Sequence, residues 1–125
     1  MSVETILVFG EGDESGPSVL TLELLAAARG LATNVEVFVA GDGAAVATEL
    51  GAHGASTVYS TGALDGKLMG VHAAATLQTH LDSNPADAVF FGQTADGRDT
   101  AARLAVRLDQ PVITNNVGAV IEDGT

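Results

Sequence analysis

The chain has 125 residues, sixteen acidic side chains against five basic ones, a formal charge of −11, 46% hydrophobic residues, and neither cysteine nor tryptophan. That length fits one domain with a real core, and so acidic a surface repels phosphate backbones and anionic lipid, arguing against nucleic-acid and membrane partners. The missing thiols exclude disulfides, thiolate metal sites and cysteine catalysis, and fit a reducing, cytoplasmic setting.

The first residues show no basic stretch followed by a long apolar run, so no secretory leader is expected. No apolar run approaches the ~20 residues of a membrane span, so no membrane insertion is expected either. Residues 5–9 (TILVF) read as a first buried strand. A polar loop over 10–16 leads to Pro17 and Ser18, which carry helix-start chemistry. The helix that follows places Leu20, Leu24, Ala27, Ala28 and Leu31 on one stripe of 3.6-residue period. Residues 35–40 (VEVFVA) form a second strand, and Gly41, Asp42 and Gly43 turn into a short helix ending near Leu50. A third strand is predicted over 57–60.

A long helix over about 66–82 directs Leu68, Val71, Ala75 and Leu81 inward by the same periodicity. Pro85 follows its end. Residues 88–91 are an apolar run between Asp87 and Gly92, short enough for a strand buried on both faces. A glycine-bracketed polar loop over 92–97 comes next, then an alanine-rich helix with Ala101, Leu104, Ala105 and Leu108 on its apolar side. Pro111 stops that helix, and 111–113 open a fifth strand. Residues 117–122 read as a sixth strand; Asp123-Gly124 then signals a hairpin with no returning arm, so a longer polypeptide is expected.

Five strands alternating with helices predict a Rossmann-like three-layer α/β/α parallel sheet, strand order 3-2-1-4-5, with right-handed crossovers. The crevice between the loops after strands one and four is where such folds hold ligands. Its loops lack the usual phosphate motifs. Gly10-Glu11-Gly12 has Ser15 where a dinucleotide fingerprint needs its third glycine, and Glu11, Asp13 and Glu14 repel a pyrophosphate. Gly92 to Gly97 has phosphate-loop spacing, yet Arg98 and Asp99 stand where Lys and Ser/Thr belong. His53, His72 and His80 are too scattered to ligate a metal, and Ser15 and Ser18 lack a nucleophile-elbow context. No catalytic, cofactor-binding or metal-ligating residue is assigned.

One positive concentration remains. Arg98, Arg103 and Arg107 hold three of the five basic residues within ten positions, and Asp99, Arg103 and Arg107 are successively four apart on a helix. This spacing serves a solvated helix face, and it equally serves a partner interface, where arginine is favoured. Arg98, Asp99, Arg103 and Arg107 are the candidate interface residues.

The run ILVFGEGD followed by Leu22-Glu23-Leu24-Leu25-Ala26-Ala27-Ala28-Arg29 resembles the opening of the alpha subunit of electron transfer flavoproteins. Gly51 to Tyr59 (GAHGASTVY), Gly97-Arg98-Asp99, the run ARLAVRLD from Ala102 to Asp109, and Ile113-Thr114-Asn115 are similar to that family in the same order, so the resemblance spans the whole chain. It implies an adenine nucleotide alpha hydrolase-like fold over residues 1–125, the N-terminal domain of the alpha subunit. It further implies a heterodimeric, FAD-dependent carrier moving electrons from acyl-CoA dehydrogenases of fatty acid β-oxidation, and other dehydrogenases, to a membrane quinone reductase. In that family the N-terminal domain packs against the beta subunit, and a C-terminal domain, absent here, makes most FAD contacts. The alternative is a stand-alone, universal-stress-like nucleotide-binding domain using the crevice between Gly10 and Gly92.

Overall fold

The computed structural model describes residues 3–13, 15–41, 43–62 and 69–109. The first strand, β1 (Val3–Gly10), occupies the centre of a parallel four-stranded sheet. Its apolar run alternates between two helical layers: Ile6 and Val8 face one, Leu7 and Phe9 the other, and all four are at most 2% exposed. Burial on both faces is what an unbroken apolar strand requires.

A short antiparallel ribbon then interrupts the predicted loop, β2 (Gly12–Asp13) pairing with β3 (Gly16–Pro17). Asp13 closes its turn by accepting from both the N–H and the hydroxyl of Ser15. Gly16, at φ 126°, occupies backbone space that L side chains rarely enter. Helix α1 (Val19–Arg29) starts at Ser18, whose hydroxyl accepts from the N–H of Thr21 at 3.2 Å. β4 (Ala32–Val39), α2 (Ala44–Ala52) and β5 (Thr57–Ser60) follow. Helix α3 (Met69–Ser83), strand β6 (Ala88–Phe90) and helix α4 (Ala95–Leu108) complete the described chain.

The sheet order is β5-β4-β1-β6, the predicted 3-2-1-4. β1 pairs with β4 from Val3↔Ala32 to Gly10↔Val39 and with β6 from Ile6↔Ala88 to Val8↔Phe90. β4 pairs with β5 from Glu36↔Thr57 to Val39↔Ser60. The expected strands at 111–113 and 117–122 and the turn at 123–124 lie outside the described residues. Leu25, Ala28, Val46 and Leu50 of α1 and α2 pack with Ile6, Val8, Val35 and Val37 on one face. Ala73, Ala74 and Leu77 of α3 and Leu104 of α4 pack with Leu7, Phe9 and Phe38 on the other. This is a three-layer α/β/α arrangement.

Two helical faces differ from their predicted stripes. In α1 the buried line is Thr21, Leu25 and Ala28, while Ala27 is exposed. In α3 it is Gly70, Ala73, Ala74 and Leu77, and Val71 is 41% exposed. The small residues decide the second case, because a Gly/Ala line lets α3 approach both the sheet and α4 more closely than a valine would. Leu68 lies outside the described residues, whereas Leu81 packs against the core as expected.

Candidate functional site

Two places could carry function, and the residues build them differently. The first is the crevice where β1 and β6 end. Glu11 is held there by its whole backbone: its N–H donates to the Thr21 hydroxyl at 2.9 Å, and its carbonyl accepts from the Ser18 N–H at 2.8 Å and the Thr21 hydroxyl at 3.1 Å. Thus fixed, its carboxylate reaches across and accepts from the Thr94 hydroxyl at 2.7 Å. The same hydroxyl caps α4, accepting from the N–H of Gly97 at 2.8 Å.

Glycines make this closure possible. A Cβ on Gly97 would lie 2.3 Å from the Gly92 carbonyl oxygen and 3.2 Å from the Glu11 carboxylate. A Cβ on Gly92 would lie 2.6 Å from Leu20 of α1, and one on Gly10 would lie 2.6 Å from Val37. These are packing requirements, and none of them leaves a phosphate cradle. The exposed N–H groups of a helix N-terminus attract anions; at α4 that position already has a carboxylate. The donor set here therefore does not fit the diphosphate of a flavin or a dinucleotide.

The second place is the outer face of α4. The helix begins at Ala95 behind its Thr94 cap, three residues earlier than the loop reading implied. Gly97 is in the first turn, and Arg98 folds back so that its Nε donates to the Thr94 carbonyl at 3.4 Å. Asp99 and Arg103 form an ion pair at 3.0 Å, each side chain about half exposed (50% and 48%). Asp99 also lies against α3, since a Cβ on Gly70 would be 1.8 Å from its carboxylate. Arg107 donates to the Gln78 side chain at 3.0 Å, and Gln78 donates back to the Arg107 carbonyl at 3.4 Å.

Gly70 meets Asp99 at one end and Gln78 meets Arg107 at the other, so α3 and α4 run in the same direction. Between these ties lies an open groove of about 460 Å³ lined by Val71, Ala74, Ala102, Arg103, Val106 and Arg107. Val106 is 83% exposed. Of the four candidate interface residues, the fold brings Arg103 and Arg107 to the groove; Asp99 is turned to its own helix and α3, and Arg98 to the cap. Sequence reasoning missed the groove's apolar members. Val106 offered the signal, an outward valine between Arg103 and Arg107 and off the 101/104/108 stripe.

Elsewhere, the His80 ring packs against Tyr59 in a tilted arrangement, centroids 4.2 Å apart with planes at 58°, and Tyr59 donates to Glu36 at 3.3 Å. Among the described residues, His80 Nε2 and the buried Thr100 hydroxyl have no hydrogen-bond partner. No group of three histidine, aspartate or glutamate side chains among them could hold a metal ion. No described helix is long and apolar enough to cross a membrane.

Comparison with protein-family models matches the electron transfer flavoprotein domain over residues 6–125. Neither a curated protein nor a solved structure matches the chain.

Proposed function

Because the chain belongs to the electron transfer flavoprotein domain family, whose members carry electrons, we propose that it is the N-terminal domain of an alpha subunit. In this reading it is a cytoplasmic docking module without catalytic residues of its own. Its role is to seat the beta subunit and a C-terminal FAD domain within a heterodimer. That heterodimer takes electrons from acyl-CoA and other dehydrogenases and passes them to a quinone reductase. The flavin, when bound, supplies the redox chemistry; these residues supply the platform.

One observation supports a docking role above nucleotide binding. The crevice where this fold class takes nucleotides contains the chain's own Glu11 carboxylate, hydrogen-bonded to the residue that caps α4. An incoming phosphate would have to displace a bound anion and break the charge-assisted hydrogen bond it makes. In this reading the partner contacts lie on the α4 face, where Arg103 and Arg107 line the groove and Arg98 and Asp99 flank it through their own intramolecular contacts.

Titration of the purified 125-residue chain with FAD, AMP and ATP tests the proposal. The expected outcome is a colourless protein with no gain in visible absorbance and no nucleotide-dependent heat. Stoichiometric yellow protein would overturn the assignment of FAD to another domain. Micromolar binding of AMP or ATP would favour the universal-stress-like reading instead.

A further inference from the structure

We infer that His80 is a proton-sensitive tie between the last turn of α3 and the β4–β5 edge of the sheet, closed while its ring is neutral and released when the ring is charged. The pleat builds the seat for it. Glu36 and Phe38 are two apart on β4 and so share one face, and Tyr59 on β5 is the register partner of Phe38. Phe38 and Tyr59 pack in the cluster that contains Ala73, Ala74 and Leu77 of α3. The His80 ring lies against both aromatics, its centroid 4.2 Å from that of Tyr59 and 5.8 Å from that of Phe38, with planes tilted at 58° and 51°. Since β5 is an edge strand of the sheet, this contact fastens the edge to the helical layer.

The ring's chemistry makes the tie responsive. Imidazole changes its charge between about pH 5 and 8. Nε2 of His80 is shielded from solvent and has no hydrogen-bond partner. A neutral ring tolerates this, because its one proton can reside on Nδ1 and leave Nε2 as a bare lone pair. A charged ring carries an N–H at both nitrogens, so the buried edge acquires a charged donor with nothing to accept it. Aromatic rings attract a cation, but that attraction is the weaker effect where the charged donor is buried without a partner.

The titratable residue of β5 is Tyr59 and that of β4 is Glu36, and the two are hydrogen-bonded to each other at 3.3 Å. Burial and the Glu36 carboxylate hold the Tyr59 hydroxyl above its ordinary value of 10.0, so it does not ionise in the same window. On α3 itself Asp82 is two positions further on, a spacing at which helical side chains do not face each other. Arg107 of α4 is bonded to Gln78, and the β1 residues in this cluster, Leu7 and Phe9, are uncharged.

Tyr59 is the chain's only tyrosine and there is no tryptophan, so the tyrosine emission of the 125-residue chain reports on this contact. Emission is followed from about pH 8 to about pH 5, with amide hydrogen exchange read by NMR at both ends. Variants are His80→Phe, which keeps a ring and removes the proton, and His53→Gln and His72→Gln as controls at the other two histidines. Circular dichroism checks that each variant folds. Expected for the wild type is one sigmoidal change in emission, lost in His80→Phe and kept in both controls. Over the same interval the amides of β5 and of the last turn of α3 should exchange about tenfold faster or more, relative to their intrinsic rates, while those at the centre of β1 hold.

Emission that stays flat in the wild type, or that titrates equally in His80→Phe, would overturn the inference. So would a His80-dependent change in emission without faster exchange, since the ring would then take up its proton and stay seated. If His80→Phe does not fold, the wild-type exchange pattern decides: acid-accelerated exchange confined to β5 and the end of α3 supports the tie, and its absence overturns it.

Discussion

Thr94 holds two structures together with one oxygen, since it caps α4 through the Gly97 N–H and donates its proton to Glu11. Thr94→Ala should therefore cost more than an ordinary cap. A loss of about 2 kcal/mol in urea unfolding is expected, at the top of the range for N-cap removal; a loss under about 0.5 kcal/mol would show that the Glu11 tie contributes nothing. Sequence reasoning found the Ser18 cap and missed this one, because Gly92 and Gly97 read as loop punctuation. Gly97 is instead a helical residue whose Cβ has no room. At Asp13 the Ser15 hydroxyl and N–H hold the carboxyl below its ordinary value of 3.8. A depressed folded value means that the contribution is present above 3.8 and fades as pH falls through the lower, folded value. Removing the hydroxyl in Ser15→Ala should move the Asp13 titration upward in an NMR pH series.

Helix α3 shows how a correct element can carry a wrong face. Its length and position followed from periodicity and from Pro85, yet Val71 was assigned inward and lies outward. Large apolar residues dominate a periodicity count, whereas this helix packs through Gly70, Ala73 and Ala74. Gly70 makes a sharp test. Alanine is favoured over glycine in a helix by about 1 kcal/mol, so without a close neighbour Gly70→Ala should stabilise. With Asp99 where the new Cβ must go, a destabilisation of roughly 1 kcal/mol is expected in chemical denaturation, and adding Asp99→Ala should recover it as a coupled pair. The Asp99–Arg103 ion pair behaves differently. Half-exposed pairs contribute little, so Arg103→Ala should change stability by no more than about 0.5 kcal/mol. Any larger effect of the same substitution on assembly with the proposed partner would then belong to a contact made there. Leu77, fully buried between α3 and the sheet, sets the core's scale: Leu77→Ala should cost about 2–5 kcal/mol by thermal unfolding.

Across the whole molecule, the order of the described strands was legible because short, mostly apolar runs are separated from one another by helix-length segments. TILVF after Thr5 and the VFVA of residues 37–40 run on without the polar alternation that would suit a sheet wet on one side, Glu36 being the one charged residue in VEVFVA. The strands are longer than those runs, β1 beginning at Val3 and β4 at Ala32, because backbone pairing extends through the polar residues between, from Val3↔Ala32 onward. The crevice was located correctly from topology, and its acidic first loop was read as hostile to phosphate. What one dimension hid was the reach of Glu11 to Thr94, two residues 83 positions apart. No periodicity reports a contact of that separation. The α3–α4 groove escaped for the same reason, since its walls come from two segments some thirty residues apart.

Strand β6 is only three residues long, yet it is fastened at both ends to the start of the chain. Below it, the Asp87 carboxylate accepts the N–H groups of Glu4 and Thr5, each at 3.0 Å; above it stands the Glu11–Thr94 bond. All three fastenings span 82 or 83 residues. In folding time, contacts of such separation form after their loop has closed. The β1–α1–β4 unit, whose pairing partners are neighbours in sequence, can assemble first and offer β6 a finished strand to join. The two carboxylates then act as clasps on a late arrival. Native-state hydrogen exchange should report this order in reverse, with amides of β6 and the first turn of α4 opening together at lower free energy than those at the centre of β1.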